Sequence, residues 1–105
     1  MSAQPSTTRQ SAIDAALIHP VPTTADMVAS ASVAAVFLDS LSIRPYTLRV
    51  TELGRVEAYV DPALFDRARR VLLSEGATVH NEDGFVYVEA RLDGVPVQVW
   101  TAVES

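Results

Sequence analysis

Hydrophobic positions change their period several times along this chain, and each change marks an element. From Ala25 to Leu41, the residues Met27, Val28, Ala31, Ala34, Ala35, Leu38 and Leu41 return at spacings of three and four, which predicts a helix with one apolar side. Thr24 is placed to cap it, and Asp26 suits the positive end of its dipole. After Pro45 the period drops to two: Tyr46, Leu48 and Val50 alternate with Thr47, Arg49 and Thr51, and Val56, Ala58 and Val60 alternate with Arg55, Glu57 and Tyr59. With Glu52-Leu53-Gly54 as the turn, the segment reads as a β-hairpin.

Asp61-Pro62 then opens a second helix, the aspartate as N-cap and the proline at the first helical position, where a missing N–H is harmless. Leu64, Ala68, Val71 and Leu72 form its buried stripe with Phe65 beside it, while Arg67, Arg69 and Arg70 face solvent. Glu75-Gly76 ends it, since glycine accepts the left-handed conformation of a C-terminal cap. Two Asp-Gly pairs, at 83–84 and 93–94, punctuate three extended runs, Ala77 to Glu82, Phe85 to Leu92 and Val95 to Val103, which predicts a three-stranded meander. The element order α-β-β-α-β-β-β implies an α+β fold: a two-layer sandwich, a mostly antiparallel sheet with two helices on one face. Pro96 has no N–H for a sheet ladder, so the last strand is expected at an edge or with its proline among the first residues.

Alternation also sorts the side chains by face. Val86, Val88, Ala90 and Leu92 on one strand and Val95, Val97, Val99, Thr101 and Val103 on the next are small or β-branched and suit contact with helices. The other face receives Phe85, Tyr87, Glu89 and Arg91, then Gln98, Trp100 and Ala102, with Tyr59 from the first hairpin. Four of the seven aromatic residues of the chain therefore share the face that two helices leave uncovered. Tyr59, Phe85, Tyr87, Trp100 and Arg91 are the candidate interaction residues, because Tyr, Trp and Arg are enriched at protein interfaces. The competing expectation is that the N-terminal segment, or the same face of a second copy, buries these rings.

Other chemistry is thin. His80 and Glu82 lie on one side of one strand, and the only other histidine, His19, sits in a proline-bracketed segment, so a zinc site would be short of ligands; no metal is expected. Asp93 has no second carboxylate alternating after it, as a magnesium site would need. With no Gly-rich phosphate loop, serine nucleophile elbow or helical histidine pair, no catalytic residue and no cofactor is expected, and the domain reads as non-enzymatic.

The opening residues are rich in Ser, Thr and Gln and lack periodicity, so residues 1–22 read as a disordered or irregular tail and 23–105 as a single domain. SAIDAALIHP has room for a helical turn or two before the prolines stop it. The net charge is −5, spread along the chain, and all eight basic residues are arginines without a stripe, which argues against nucleic acid as a partner. No cysteine is present and no run reaches the length of a membrane span, so the expectation is a cytoplasmic protein with no membrane contact.

The stretch GFVYVEARLDGVPVQVWTAV, with its short glycine turn, alternating valines and tryptophan, is similar to the C-terminal strands of small uncharacterised α+β proteins of actinobacteria and their phages. That resemblance spans roughly residues 54 to 103 in layout. It implies a small accessory protein and transfers no catalytic residue; Pro96 departs from its pattern. The resulting expectation is a phage or mobile-element module that binds a protein partner or itself, as a homo-oligomer, through the aromatic face. The alternative is a small-molecule-binding regulatory domain holding its ligand between sheet and helix, against Phe65 or Tyr46.

Overall fold

A computed structural model describes residues 21–103 of the chain. Apart from Val21 and Pro22, the tail expected over residues 1–22 lies outside the described residues, as does the SAIDAALIHP segment. The order is α1 (Thr24–Ser40), β1 (Thr47–Val50), β2 (Val56–Tyr59), α2 (Pro62–Ser74), β3 (Thr78–Glu82), β4 (Phe85–Leu92) and β5 (Val95–Ala102). It is the α+β arrangement that the periodicities imply.

Helix α1 begins one residue earlier than its pattern predicts. Thr23, not Thr24, is the N-cap, and a capping box closes with Asp26: the Thr23 hydroxyl accepts from the Asp26 N–H at 3.1 Å, and the Asp26 carboxylate accepts from the Thr23 N–H at 2.9 Å. Only Ala34 and Leu38 are fully buried, with Phe37 and Leu41 partly so. Val28, expected on the buried stripe, is exposed.

Both helices end in the same way. Ile43 donates to the carbonyl of Leu38 and Ser42 to that of Asp39; at the end of α2, Ala77 donates to Leu72 and Gly76 to Leu73. These paired bonds are the Schellman motif, which requires a left-handed residue after the cap. Gly76 meets that need with φ +88°, whereas at α1 a serine does so, Ser42 at φ 56°. Ile43 then turns inward against Leu38 as part of the core. The Arg67 guanidinium, expected simply in solvent, also donates to the Leu41 carbonyl at 2.8 Å, joining the helices at the negative end of α1.

Helix α2 starts as Asp61-Pro62 predicts, with the aspartate accepting from the Ala63 N–H at 2.8 Å. The same carboxylate accepts from the Tyr46 hydroxyl at 2.7 Å, fixing the start of the first hairpin to the start of α2. That bond holds the Asp61 carboxyl below, and the Tyr46 phenol above, the ordinary value.

The five strands form one sheet in the order β1-β2-β5-β4-β3. All neighbours are antiparallel except β2 and β5, which run parallel. The edge expectation for β5 is therefore overturned: it is the central strand. Pro96 is tolerated because it is the second residue of β5, and pairing with β2 begins only at Val97. At the far end, Thr101 donates its hydroxyl to the Val60 carbonyl at 2.9 Å and Val60 donates its N–H to the Trp100 carbonyl, so the parallel junction is locked just past the last paired residues.

One sheet face carries the core. Val56, Ala58, Val88, Ala90, Val97 and Val99 pack against Ala34 and Leu38 of α1 and Phe65, Ala68 and Leu72 of α2. Both helices lie on that face, and their small and β-branched contacts let them approach the sheet closely. Val103, also expected there, is exposed beyond the end of β5.

Candidate functional site

The strand registers place the face opposite the helices in rows that run across the sheet. One row reads Thr47, Tyr59, Trp100, Tyr87, His80 from β1 to β3. Neighbouring strands lie about 4.8 Å apart, close to the separation at which aromatic rings stack, so aromatic residues in one row fall naturally face to face. The observed centroid distances are 5.6 Å for Tyr59 and Trp100, 4.1 Å for Tyr87 and Trp100, and 4.9 Å for His80 and Tyr87, with interplanar angles of 26°, 19° and 18°. Phe85, one row along, meets Trp100 and Tyr59 edge-on at 6.1 and 6.4 Å. The result is a continuous ladder of four stacked rings with a fifth at its side.

A polar row runs beside the ladder: Arg49, Glu57, Gln98, Glu89, Thr78. The Glu57 side chain is only 4% exposed, because two guanidinium groups lie over it. Arg49 Nε donates to one carboxylate oxygen at 2.8 Å, and Arg55 donates to the other through Nε at 3.2 Å and Nη2 at 2.9 Å. Burial pushes the Glu57 carboxyl up, but the hydrogen bonds and charges of Arg49 and Arg55 outweigh it and hold the group below its ordinary value. Gln98, also buried, donates to Glu89 at 3.2 Å and accepts from the Trp100 indole N–H at 2.9 Å. The two rows are thus cross-linked at the central strand, and the tryptophan's polar atom is satisfied.

Of the residues singled out from the sequence, Tyr59, Phe85, Tyr87 and Trp100 come together in the ladder. Arg91 does not join them: it lies four residues along β4 from Tyr87, about 13 Å away, and its guanidinium donates to the Gly94 carbonyl in the β4–β5 turn at 2.8 Å. His80, a candidate for metal or acid–base chemistry by its sequence, belongs to the ladder as a ring. Its spacing of two from Thr78 and Glu82 already put it on this face, but its pairing with Tyr87 depends on the register of the 83–84 turn. The His80 Nε2 is 2.8 Å from the Thr78 hydroxyl and 3.8 Å from Glu89. Among the described residues no group of three His, Cys, Asp or Glu side chains is placed to hold a metal ion.

Among the described residues the four stacked rings are half-buried and Phe85 is 39% exposed. On the helix side, an open depression of about 260 Å³ is lined by Val33, Val36 and Phe37 of α1, Glu75, and Leu92 and Asp93 at the β4–β5 turn together with Arg91. Phe65 is packed in the core and Tyr46 stands at the surface, so neither lines it. Among the described residues no helix is long and apolar enough to cross a membrane. Compared with known proteins, the chain matches no family model, and no curated protein or solved structure shows significant similarity to it.

Proposed function

We propose that this domain is a non-enzymatic protein–protein interaction module that binds through the sheet face opposite α1 and α2. The observation that carries the reading is the ring ladder His80, Tyr87, Trp100, Tyr59, half-exposed and framed by a hydrogen-bonded polar row. Stacked and cross-linked rings have little rotamer freedom left to lose, so a partner that covers them gains apolar contact at a small entropic cost. Tyr and Trp side chains dominate interface energies, and the Trp100 indole N–H is already satisfied by Gln98. The assignment to a phage or mobile element belongs to the same proposal and is supported by the resemblance of the C-terminal strands alone.

The test is Trp100→Ala in the full chain, with unfolding by urea followed by circular dichroism at low concentration. A ring held ready for a partner stabilises the lone chain modestly, and the substitution is expected to lower its stability by about 2 kcal/mol, from its contacts with Tyr59, Tyr87 and Phe85 and its hydrogen bond to Gln98. A loss of about 3 to 5 kcal/mol, as for a core aromatic, would mean that the chain itself buries the ring and would remove the interface reading.

A further inference from the structure

We infer that the occupant of the ring face is a second copy of this chain, related by a two-fold axis running along β5. The inference rests on the interaction-module reading and adds the partner's identity and geometry. Its basis is that the face is self-complementary under that one operation. β5 is the middle of five strands, so a two-fold along it lays β2 of one copy over β4 of the other and β1 over β3. Rows stay on rows: Trp100 meets its own counterpart on the axis, and Tyr59 comes opposite Tyr87.

Charge follows the same division. On the β1–β2 half, Arg49 and Arg55 converge on the single carboxylate of Glu57, leaving an excess of one positive charge, with the two arginine side chains 62% and 43% exposed above it. On the β3–β4 half, the ladder is flanked by Glu89 and Glu82, and among the described residues no arginine pairs with either; Arg91, on the same face, is turned to the Gly94 carbonyl, so this half keeps an excess of one negative charge. The two-fold puts the half with surplus positive charge over the half with surplus negative charge, twice. In particular the Arg49–Arg55 cap over Glu57 faces Glu89 of the other copy. A face of one sign, or one whose charge did not divide across β5, would repel its own image. The chain as a whole carries −5, whereas the charges on this face nearly cancel.

Size sets the strength. Five strands at about 4.8 Å and three rows along them make a footprint of about 24 by 20 Å, or about 1,000 Å² over both copies, the lower limit of a specific interface. Two sheets packed face to face at about 10 Å with a crossing angle near 30° keep the central contacts and let the outer ones drift apart. The dimer is therefore expected to dissociate in the micromolar range.

Trp100 is the only tryptophan, so its fluorescence reads this surface directly. The full-length chain is followed by sedimentation and by tryptophan emission with acrylamide quenching, from nanomolar to high micromolar concentration. The inference expects a dimer, with emission moving to shorter wavelength and quenching falling as it forms. Trp100→Ala and Glu89→Arg are each expected to raise the dissociation constant by about thirtyfold or more, as loss of a central contact does. Glu89→Gln is expected to do so less; circular dichroism at low concentration checks that each variant is folded. A dimer that persists in the folded Trp100→Ala and Glu89→Arg variants uses another surface and overturns the inference. A monomer at every concentration with Trp100 open to quencher overturns the second copy as occupant but leaves the interaction-module reading standing. A monomer whose Trp100 is protected at every concentration overturns both, since the chain then covers its own face.

Discussion

Replacing Glu57 with glutamine tests whether the two-arginine clamp stabilises the fold. The substitution keeps the shape of the side chain and removes its charge, while Arg49 and Arg55 are left with an amide that accepts through one atom only. The carboxylate now receives Arg49 Nε at 2.8 Å and Arg55 Nε and Nη2 at 3.2 and 2.9 Å. Hydrogen bonds to a charged group are worth about 1.5 to 3 kcal/mol each, and removing one partner of a buried pair costs about 3 to 5 kcal/mol. Here the buried partner is the one neutralised, and both arginines can turn to water, so about 2 to 3 kcal/mol is expected. For a domain of about 80 residues that lowers the melting temperature by about 10 to 20 °C. The pH arm follows from the lowered value of the Glu57 carboxyl in the fold. Its contribution is fully present above the unfolded value, about 4.3, and is lost as pH falls through the folded one. Urea unfolding of Glu57→Gln and the parent chain at low concentration, at about pH 7 and about pH 3, should show the gap shrink in acid. A gap under about 0.5 kcal/mol at neutral pH, as for a surface ion pair, or one that acid leaves unchanged, would refute the reasoning.

The two helix ends provide a paired test in opposite directions: Ser42→Gly should raise stability by about 1 kcal/mol, because the left-handed site after α1 holds a residue with a Cβ, and Gly76→Ala should lower it by about the same. Thermal melts of the two variants check both signs, and a destabilised Ser42→Gly would refute the account of strain. Thr101→Val keeps the volume but removes the donor to the Val60 carbonyl, and should cost about 1 to 3 kcal/mol in urea unfolding because that junction is buried. A neutral result would show that the parallel pairing of β2 and β5 does not depend on this hydroxyl.

What was legible in the chain was local. Asp61-Pro62 marks the start of α2 because both residues act within one turn, and Asp83-Gly84 and Asp93-Gly94 mark hairpins because a left-handed pair is needed where two strands reverse. That Tyr59, Phe85, Tyr87 and Trp100 share a face followed from alternation alone, since a period of two assigns a face whatever the neighbours are. Neighbour identity is another matter. Nothing near Val56 announces that Val97 will lie beside it, so the stacking of Tyr59 on Trp100 could not be foreseen; the edge expectation for β5 came from Pro96, and its alternative holds, because that proline is the second residue of the strand. Ser42 was missed because the motif's usual mark is glycine, and Glu57 read as an ordinary outward carboxylate because its burial depends on where two arginines fold back. Arg91 shared the right face, but the open Gly94 carbonyl at the adjoining turn holds it away from the rings.

The parallel junction also bears on biosynthesis. As the chain leaves the ribosome, the β1–β2 hairpin and the β3–β4 hairpin can each close as soon as they emerge, but they cannot form a common sheet: the strand that belongs between them comes last. Until β5 arrives, β2 and β4 each present an unpaired edge, and the core face of the sheet is split in two. Edges of that kind invite pairing with other chains, and contacts between distant segments form slowly. Translation that stops after Gly94 would leave two half-sheets with no strand to join them, so loss of these few residues should lead to aggregation or degradation of the product rather than to a shortened protein.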